Sequence, residues 1–381
     1  MHHHPSSAAT MLKIASIYLF LITIITKLPK ATSAPQQRYT LIRKTRLSHD
    51  SCLLRFALPS TETRTLGNDP TLPTCIKITL PAGTGADAAT NTEKDVSKSY
   101  SPISHPSAKD YFELVVKSYD FQPGGGMGAF LCGLQVHDEV SPVEDANESN
   151  YDPVVDANSN ANVSAGESDD RTLKETCNTN TFSSILGKLK SPRMVHGGPS
   201  ILNRWKHVGL IAGGTGIAPL FQIARILLES GAESEDAART TVHLLYINRQ
   251  QEDILIKDAI DELVREHPDR FFVTYSLTRP DYQSESTSIE QCKQSAVACN
   301  SEFKLGRGSS NMALDALPPP ADGDGSTMVF ICGKDGFVES WGGAIGRAPD
   351  QPDGTKGIKI QGPLLGWLAQ AGYRASEVFK Y

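Results

Sequence analysis

The residues with the most chemical promise lie in four short runs. Gly213-Gly214-Thr215-Gly216-Ile217-Ala218-Pro219 follows the apolar run Val208 to Ala212 and precedes apolar residues at helical spacing. Glycines at such a turn let backbone N–H groups approach a ligand at a helix start, where a diphosphate can be held. The run is neither the G-x-G-x-x-G fingerprint nor a P-loop, since no Gly-Lys-Ser/Thr follows. Taken alone, it serves chain geometry as readily as a ligand. Val329-Phe330-Ile331-Cys332-Gly333 reads as a second strand, ending in Cys-Gly. Ligands of open parallel sheets sit at the carboxyl ends of strands, so the strand ends at 212 and 332 can face one crevice. A thiol there is small and soft enough to lie against a nicotinamide ring, although a core cysteine would look the same.

Lys98-Ser99-Tyr100-Ser101-Pro102 groups a cation, an aromatic ring and a hydroxyl. That set suits a flavin: charge for phosphate, ring for stacking, hydroxyl for the N5 edge. It is also what an ordinary loop contains. Pro123-Gly124-Gly125-Gly126-Met127-Gly128 opens a short helix expected to end near Leu134, a further helix start able to receive phosphate.

These runs need elements to hold them. The chain has 381 residues, 39% of them hydrophobic and 21% charged, which is enough apolar material for ordinary cores. The net charge of −6 does not suit a nucleic-acid binder. That charge is uneven: Asp138 to Asp170 holds ten acidic residues and no Lys or Arg, and without it 33 acids face 37 bases, a net of +4. Seven cysteines at 52, 75, 132, 177, 292, 299 and 332 form no C-x-x-C pair, which argues against a disulfide scaffold and a zinc ribbon. Reduced, mostly buried thiols and no metal site are expected.

Ile14 to Thr26, between Lys13 and Lys27, is an apolar run. It is shorter than the roughly 20 residues of a comfortable membrane span. A cleaved signal ending near Ala34, a short anchor and a mitochondrial sorting signal all fit it. Each makes residues 1–35 a membrane address outside the fold. Segments at 39–42, 53–58, 76–80 and 111–117 then alternate as short strands, the pattern of an antiparallel barrel. Residues 61–73 and 81–97 read as loops. An insert at about 141–190, rich in Asn, Ser, Asp and Ala, is expected to be disordered, with an acidic docking tail as the functional alternative. From His207 strands alternate with helices at 208–212, 218–229, 242–247, 254–266, 271–277 and 328–332, which implies a parallel sheet with crossover helices.

In order and spacing, the four runs resemble NADH-cytochrome b5 reductase and its relatives among the ferredoxin–NADP reductase-like flavoenzymes. Asn248-Arg249-Gln250-Gln251-Glu252-Asp253-Ile254-Leu255, His267-Pro268-Asp269-Arg270-Phe271, Tyr275-Ser276-Leu277-Thr278-Arg279-Pro280, Gly198-Pro199-Ser200 and the terminal Val378-Phe379-Lys380-Tyr381 extend the likeness. It covers about 39–381, minus loops near 61–97, 141–190 and 285–326. The resemblance implies a β-barrel FAD-binding domain over 36–205 and an α/β parallel-sheet NAD-binding domain over 206–381. It implies that Tyr100, Ser101 and Pro102 lie against the isoalloxazine, with Ser101 near N5, and that Lys98, Gly125, Gly126, Met127 and Gly128 serve the FAD diphosphate. Lys117 would stand near the nucleotides. Gly213, Gly214, Thr215, Gly216, Ile217, Pro219, Asn248, Asp253, Cys332 and Gly333 would take the NADH side, with Ser101 and Cys332 nearest the chemistry. Lys98 stands where the family has Arg, and Gly128 where it has Ser or Thr, both of which point to weaker FAD binding. Lys334-Asp335-Gly336-Phe337 replaces the family's Pro-Pro. The run Asp335-Gly336-Phe337-Val338-Glu339, followed by Gln361-Gly362-Pro363-Leu364-Leu365-Gly366, looks closer to a fungal branch similar to the mitochondrial cytochrome c import factor.

The implied activity is hydride transfer from NADH to FAD and single-electron transfer to a haem protein such as cytochrome b5. NADPH is the lesser alternative, raised by Arg249. The implied setting is a membrane of the mitochondrion or endoplasmic reticulum. Two other roles remain open: haem reduction assisting cytochrome c maturation, and a non-catalytic membrane scaffold. Sequons at Asn147-Glu148-Ser149 and Asn162-Val163-Ser164 would place the body in a secretory lumen if glycosylated. Gly214→Val is expected to abolish NADH use while FAD stays bound. Flavin absorbance and NADH titration of the purified variant check this, and loss of FAD would show the domain assignment to be wrong.

Overall fold

The structure is a computed structural model. It describes residues 37–58, 65–66, 69, 71–80, 96–119, 126–136, 184–190, 201–202, 204–229, 240–279, 301–321, 324–350, 352, 357 and 359–381, with backbone alone at 184–190. The N-terminal apolar run, Gly125, both sequons and most of the acidic insert lie outside the described residues. Among the described residues no helix is long and apolar enough to cross a membrane.

The first domain is an antiparallel wall. Its strands are β1 (Gln37–Ser48), β2 (Ser51–Ala57), β3 (Cys75–Leu80), β4 (Val96–Tyr100), β5 (Tyr111–Lys117) and β6 (Ser184–Lys190), in the order β4-β3-β6-β1-β2-β5. Burial alternates along β2 and β3, as a wall with one face on a core requires. Leu54, Phe56, Ile76, Ile78, Phe112 and Leu114 meet in that core, and α1 (Gly126–Gly133) closes it with Met127 and Leu131. Two expectations change here. Residues 184–190 belong to a strand between β1 and β3, not to a disordered insert. Residues 96–100 form β4 and not the end of a loop. A strand in mid-sheet is held by backbone hydrogen bonds on both sides, so it forms without a strong apolar signal of its own.

The second domain is a three-layer α/β unit. Strands β7 (His207–Gly213), β8 (Thr241–Asn248), β9 (Phe271–Leu277), β10 (Ser301–Leu305), β11 (Thr327–Cys332) and β14 (Val378–Lys380) make a sheet ordered β10-β9-β8-β7-β11-β14, parallel throughout. A two-residue pair, β12 (Gly346–Arg347) and β13 (Lys359–Ile360), stands apart. Helices α2 (Ile217–Glu229) and α3 (Lys257–Glu266) cover one face. Helices α4 (Ser310–Ala316), α5 (Asp335–Gly342) and α6 (Gly366–Gln370) cover the other. Successive strand residues divide between them: Leu210 packs with the α2 layer and Ile211 with the α5 layer.

Three boundaries differ from the sequence reading. β10 and α4 occupy a stretch expected to be loop. β10 is a short edge strand of alternating type, and Ser309 caps α4 by accepting from the Met312 N–H at 3.0 Å. Helix α3 starts at Lys257 and not at Ile254, because Ile256 is left-handed at φ 52° and breaks the helix there.

The two domains share apolar material. Ile103 and Val115 of the first are buried in one cluster with Ile217, Ala218, Leu220 and Phe221 of the second. The barrel's own core rests on aromatic packing: Phe112 stacks on Phe56 at 5.4 Å and meets Tyr39 edge-on at 5.1 Å. Phe112→Ala is expected to lower stability by about 3–5 kcal/mol. Denaturant unfolding followed by tryptophan and flavin fluorescence checks this, and a loss below ~1 kcal/mol would contradict the assigned core.

Candidate active site at the domain seam

The nucleotide side begins where β7 ends. Gly214 adopts φ +54°, a left-handed conformation that glycine takes without strain, and leaves open space where a Cβ would stand. The buried Tyr246 hydroxyl donates to the Gly214 carbonyl at 3.1 Å and so holds the turn from beneath. Burial raises the Tyr246 pKa, which keeps that donor protonated. Gly216 is required for a different reason. A Cβ there would stand 2.1 Å from the Cys332 carbonyl oxygen and 2.7 Å from the Gly333 nitrogen. The glycine turn and the Cys-Gly strand end are thus in backbone contact. β7 and β11 are neighbours with Ala212 opposite Cys332, and the chain leaves them for opposite halves of the sheet. This is the switch point at which open α/β sheets receive ligands. The Phe337 ring, inside the run that replaces Pro-Pro, lies under both glycine segments: a Cβ on Gly213 would be 3.0 Å from it, and one on Gly333 2.6 Å.

The facing wall comes from the first domain. β4 carries Lys98 exposed and Tyr100 largely covered, and burial raises the Tyr100 pKa, with smaller like-charge effects of Cys132 and Tyr119. Ser101 follows, half-buried, then Pro102, buried. From the end of β5, Lys117 Nζ pairs with Asp50 Oδ2 at 2.5 Å. Burial raises the Asp50 pKa, but hydrogen bonds from Lys117, Ser51 and Ser48, with the Lys117 charge, outweigh it and hold the carboxyl below its usual range. The Lys117 ammonium is therefore anchored at neutral pH. Gly128 on α1 touches the same strand end: a Cβ there would stand 2.2 Å from the Lys117 carbonyl oxygen. Across the seam, Lys334 Nζ lies 4.9 Å from the centre of the Tyr119 ring, a cation–π contact between the domains.

These pieces enclose a cleft of ≈ 360 Å³. Lys98, Tyr100, Ser101, Lys117, Gly128, Thr215, Gly216, Pro219, Cys332 and Gly333 line it, all of them singled out in the sequence. Pro102, Gly126, Gly213, Gly214, Asn248 and Asp253, also singled out in the sequence, are not among its lining residues. Met127 and Ile217 are fully buried in the two cores, so only their backbones are available to a ligand. Asp253 accepts from the Gln250 N–H at 3.3 Å and caps a local turn. Sequence reasoning missed Thr74, Cys75, Val115 and Tyr119, which line the cleft through the fold and not through a motif, and it marked Lys334 only as a departure from Pro-Pro. Tyr381 also lines it. Its N–H donates to the Ile331 carbonyl at 3.0 Å, and the neighbouring Lys380 donates to the carbonyls of Gly342 (3.1 Å), Ala344 (3.3 Å), Gly362 (3.5 Å) and Pro363 (3.0 Å).

Comparison with known proteins agrees with this division. The family model for the oxidoreductase FAD-binding domain matches residues 38–142, and that for the oxidoreductase NAD-binding domain matches 210–341. The chain belongs to the cytochrome b5 reductase-like flavoenzymes. An NADH-cytochrome b5 reductase-like protein of Arabidopsis thaliana is 27% identical over 356 residues, covering 93% of this chain and 79% of the relative. NADH-cytochrome b5 reductase 2 of Danio rerio is 28% identical, with 82% and 81% covered. The cytochrome b5 reductase domain of Ulva prolifera nitrate reductase has the same fold, with a TM-score of 0.56 at 19% identity, covering 91% of this chain and 97% of that one. The protein is thus an NADH-dependent oxidoreductase that uses FAD, and the scaffold reading falls away.

The residues present suit both cofactors. Glycines stand where side chains would fill the cradle, and two lysines face the cleft wall. At the end of β8 the Asn248 carboxamide is buried beside the Tyr246 hydroxyl that holds the glycine turn. When bound, NADH supplies a hydride and FAD divides it into single electrons. The side chains position and tune. Lys98 would offer its charge to a bound phosphate, Lys117 is held in place by Asp50, and Tyr100 keeps a neutral, protonated ring. No side chain need act as acid or base. Gly128→Ser would restore the hydroxyl usual at this place in the family, yet it is expected to weaken FAD retention, because its Cβ meets the Lys117 carbonyl. FAD content after gel filtration checks this, and tighter binding in the variant would contradict so close an approach of α1 to β5.

Proposed function

We propose that this reductase passes electrons from NADH through FAD to a haem protein of the cytochrome b5 type, at a membrane of the mitochondrion (inner membrane or intermembrane space) or of the endoplasmic reticulum. The observation that carries the reading is the single cleft that joins the Lys98–Ser101 wall to the Gly216–Cys332 contact. Two cofactor seats that share one wall put donor and acceptor within reach of direct transfer. The acceptor is supported by the names of the curated relatives and by charge. β1 exposes Arg43 and Arg46 on a body that is net basic outside its acidic insert, and such a face steers an acidic partner. The membrane setting is supported by the apolar run at 14–26.

The test is steady-state turnover of the full chain with FAD. Saturable NADH-driven reduction of cytochrome b5, weakening as ionic strength rises, is the expected outcome. An enzyme that reduces ferricyanide but not cytochrome b5 would remove this acceptor. Activity confined to apocytochrome-bound haem would move the role to cytochrome c maturation. Imaging a C-terminally tagged chain tests the organelle, and a diffuse signal would remove the membrane.

A further inference from the structure

A fully buried polar side chain stands in the seam between the domains, beside the apolar cluster that the two share. Gln222 lies on α2 one turn past Ala218 and Pro219, which line the cleft, and it is 0% exposed. Its carboxamide is engaged entirely across the seam. The Thr74 N–H donates to Oε1 at 2.7 Å, and Nε2 donates to Thr74 Oγ1 at 2.9 Å and to the Ser104 carbonyl at 3.4 Å. Both partners belong to the FAD-binding domain and are themselves buried.

Burying an amide costs free energy that pairing only offsets. A methionine of similar shape would fill this space without that cost. Hydrogen bonds add what apolar packing lacks, a fixed distance and direction. Each end of this clasp leads to one side of the cleft. Thr74 lines the cleft and immediately precedes β3, whose Ile76 pairs with Tyr100 of β4. Ser104 follows the flavin-side run and is pinned to β5, since the Ile103 N–H donates to the Glu113 carbonyl at 2.9 Å and the Glu113 N–H to Ser104 Oγ at 3.2 Å. On the other side, α2 grows directly from the turn at Gly216. The link from glycine turn to flavin-side wall is thus one helix and one side chain long.

We propose that Gln222 is a positioning residue that sets the separation of the nucleotide seat from the flavin seat. This rests on FAD and NADH occupying the two sides of the cleft, and not on which protein accepts the electrons. Gln222→Met keeps the volume and removes all three bonds. It is expected to retain FAD, to speed amide hydrogen exchange at Thr74, and to slow bleaching of the flavin by NADH in stopped flow by about ten- to a hundredfold, the loss expected of a small misplacement of reacting groups. Thr74→Val, which removes one bond of the three, should give a smaller slowing in the same direction and decides the matter if Gln222→Met does not fold. Leu227→Ala destabilises the same helix without touching the clasp, and it should melt earlier yet bleach at the wild-type rate. Faster Thr74 exchange in Gln222→Met with an unchanged bleaching rate would overturn the proposal, as would equal slowing in Leu227→Ala. Wild-type flavin that NADH fails to bleach would overturn the two-seat reading beneath it.

Discussion

The geometry of the site depends on one backbone contact. Two strands that are distant in sequence, β7 and β11, end side by side, and the chain then turns from each toward a helix. For both turns to fit, Gly216 must lie so near the Cys332 carbonyl that even a methyl group would overlap it. Everything on the nucleotide side follows. α2 starts at a fixed height above the sheet, and β11 carries Cys332 to the cleft lining beside Gly216. Protein interiors do not yield to an overlap of an ångström, so this contact acts as a fixed dimension for the second domain.

The first domain needs an equivalent dimension, and it finds one at Gly128 against Lys117. There a helix start is pressed on the strand end whose lysine is held by Asp50. The two close approaches are then joined by the shared cluster of Ile103 and Val115 with the base of α2. A reductase that must hold two ligands face to face gains from such an apolar seam, because hydrophobic contact resists opening without prescribing direction. Direction comes from the few polar links that cross it, Lys334 over Tyr119 and Gln222 on Thr74.

Much of this was legible in the sequence, and the reason differs by element. The glycine turn and the Cys-Gly strand end were readable because each carries its chemistry in consecutive residues. The parallel sheet was readable from the change in apolar period at His207. What escaped was held by neighbours and not by local preference. β6 lies in a polar, Ser-rich stretch and is kept by ladders to β1 and β3. β10 is five residues at the sheet edge. Ile256 breaks a helix that its own sequence would extend. Thr74 and Tyr119 reach the cleft from separate elements and belong to no motif, and Lys334 reads in sequence only as a departure from the family's Pro-Pro. Motifs reveal contacts that are local in sequence, whereas the seam is made of contacts between the domains.

The departures from the family pattern then take on a physical meaning. Gly128 reads in sequence as a lost hydroxyl, yet in the fold it is the residue that lets α1 meet Lys117. Phe337, part of the run that replaces Pro-Pro, fills the space beneath Gly213 and Gly333 that the turn glycines leave open. A rigid Pro-Pro stiffens a turn from within its own backbone. A half-buried ring under two glycine segments stiffens it from outside, by packing. Lys334, three residues before Phe337, carries a charge to the cleft that proline could not. The change therefore exchanges one source of rigidity for another and adds a cation at the seam. Departure from a motif at these positions is compatible with an intact site because the constraint on them is spatial, and a different residue meets it.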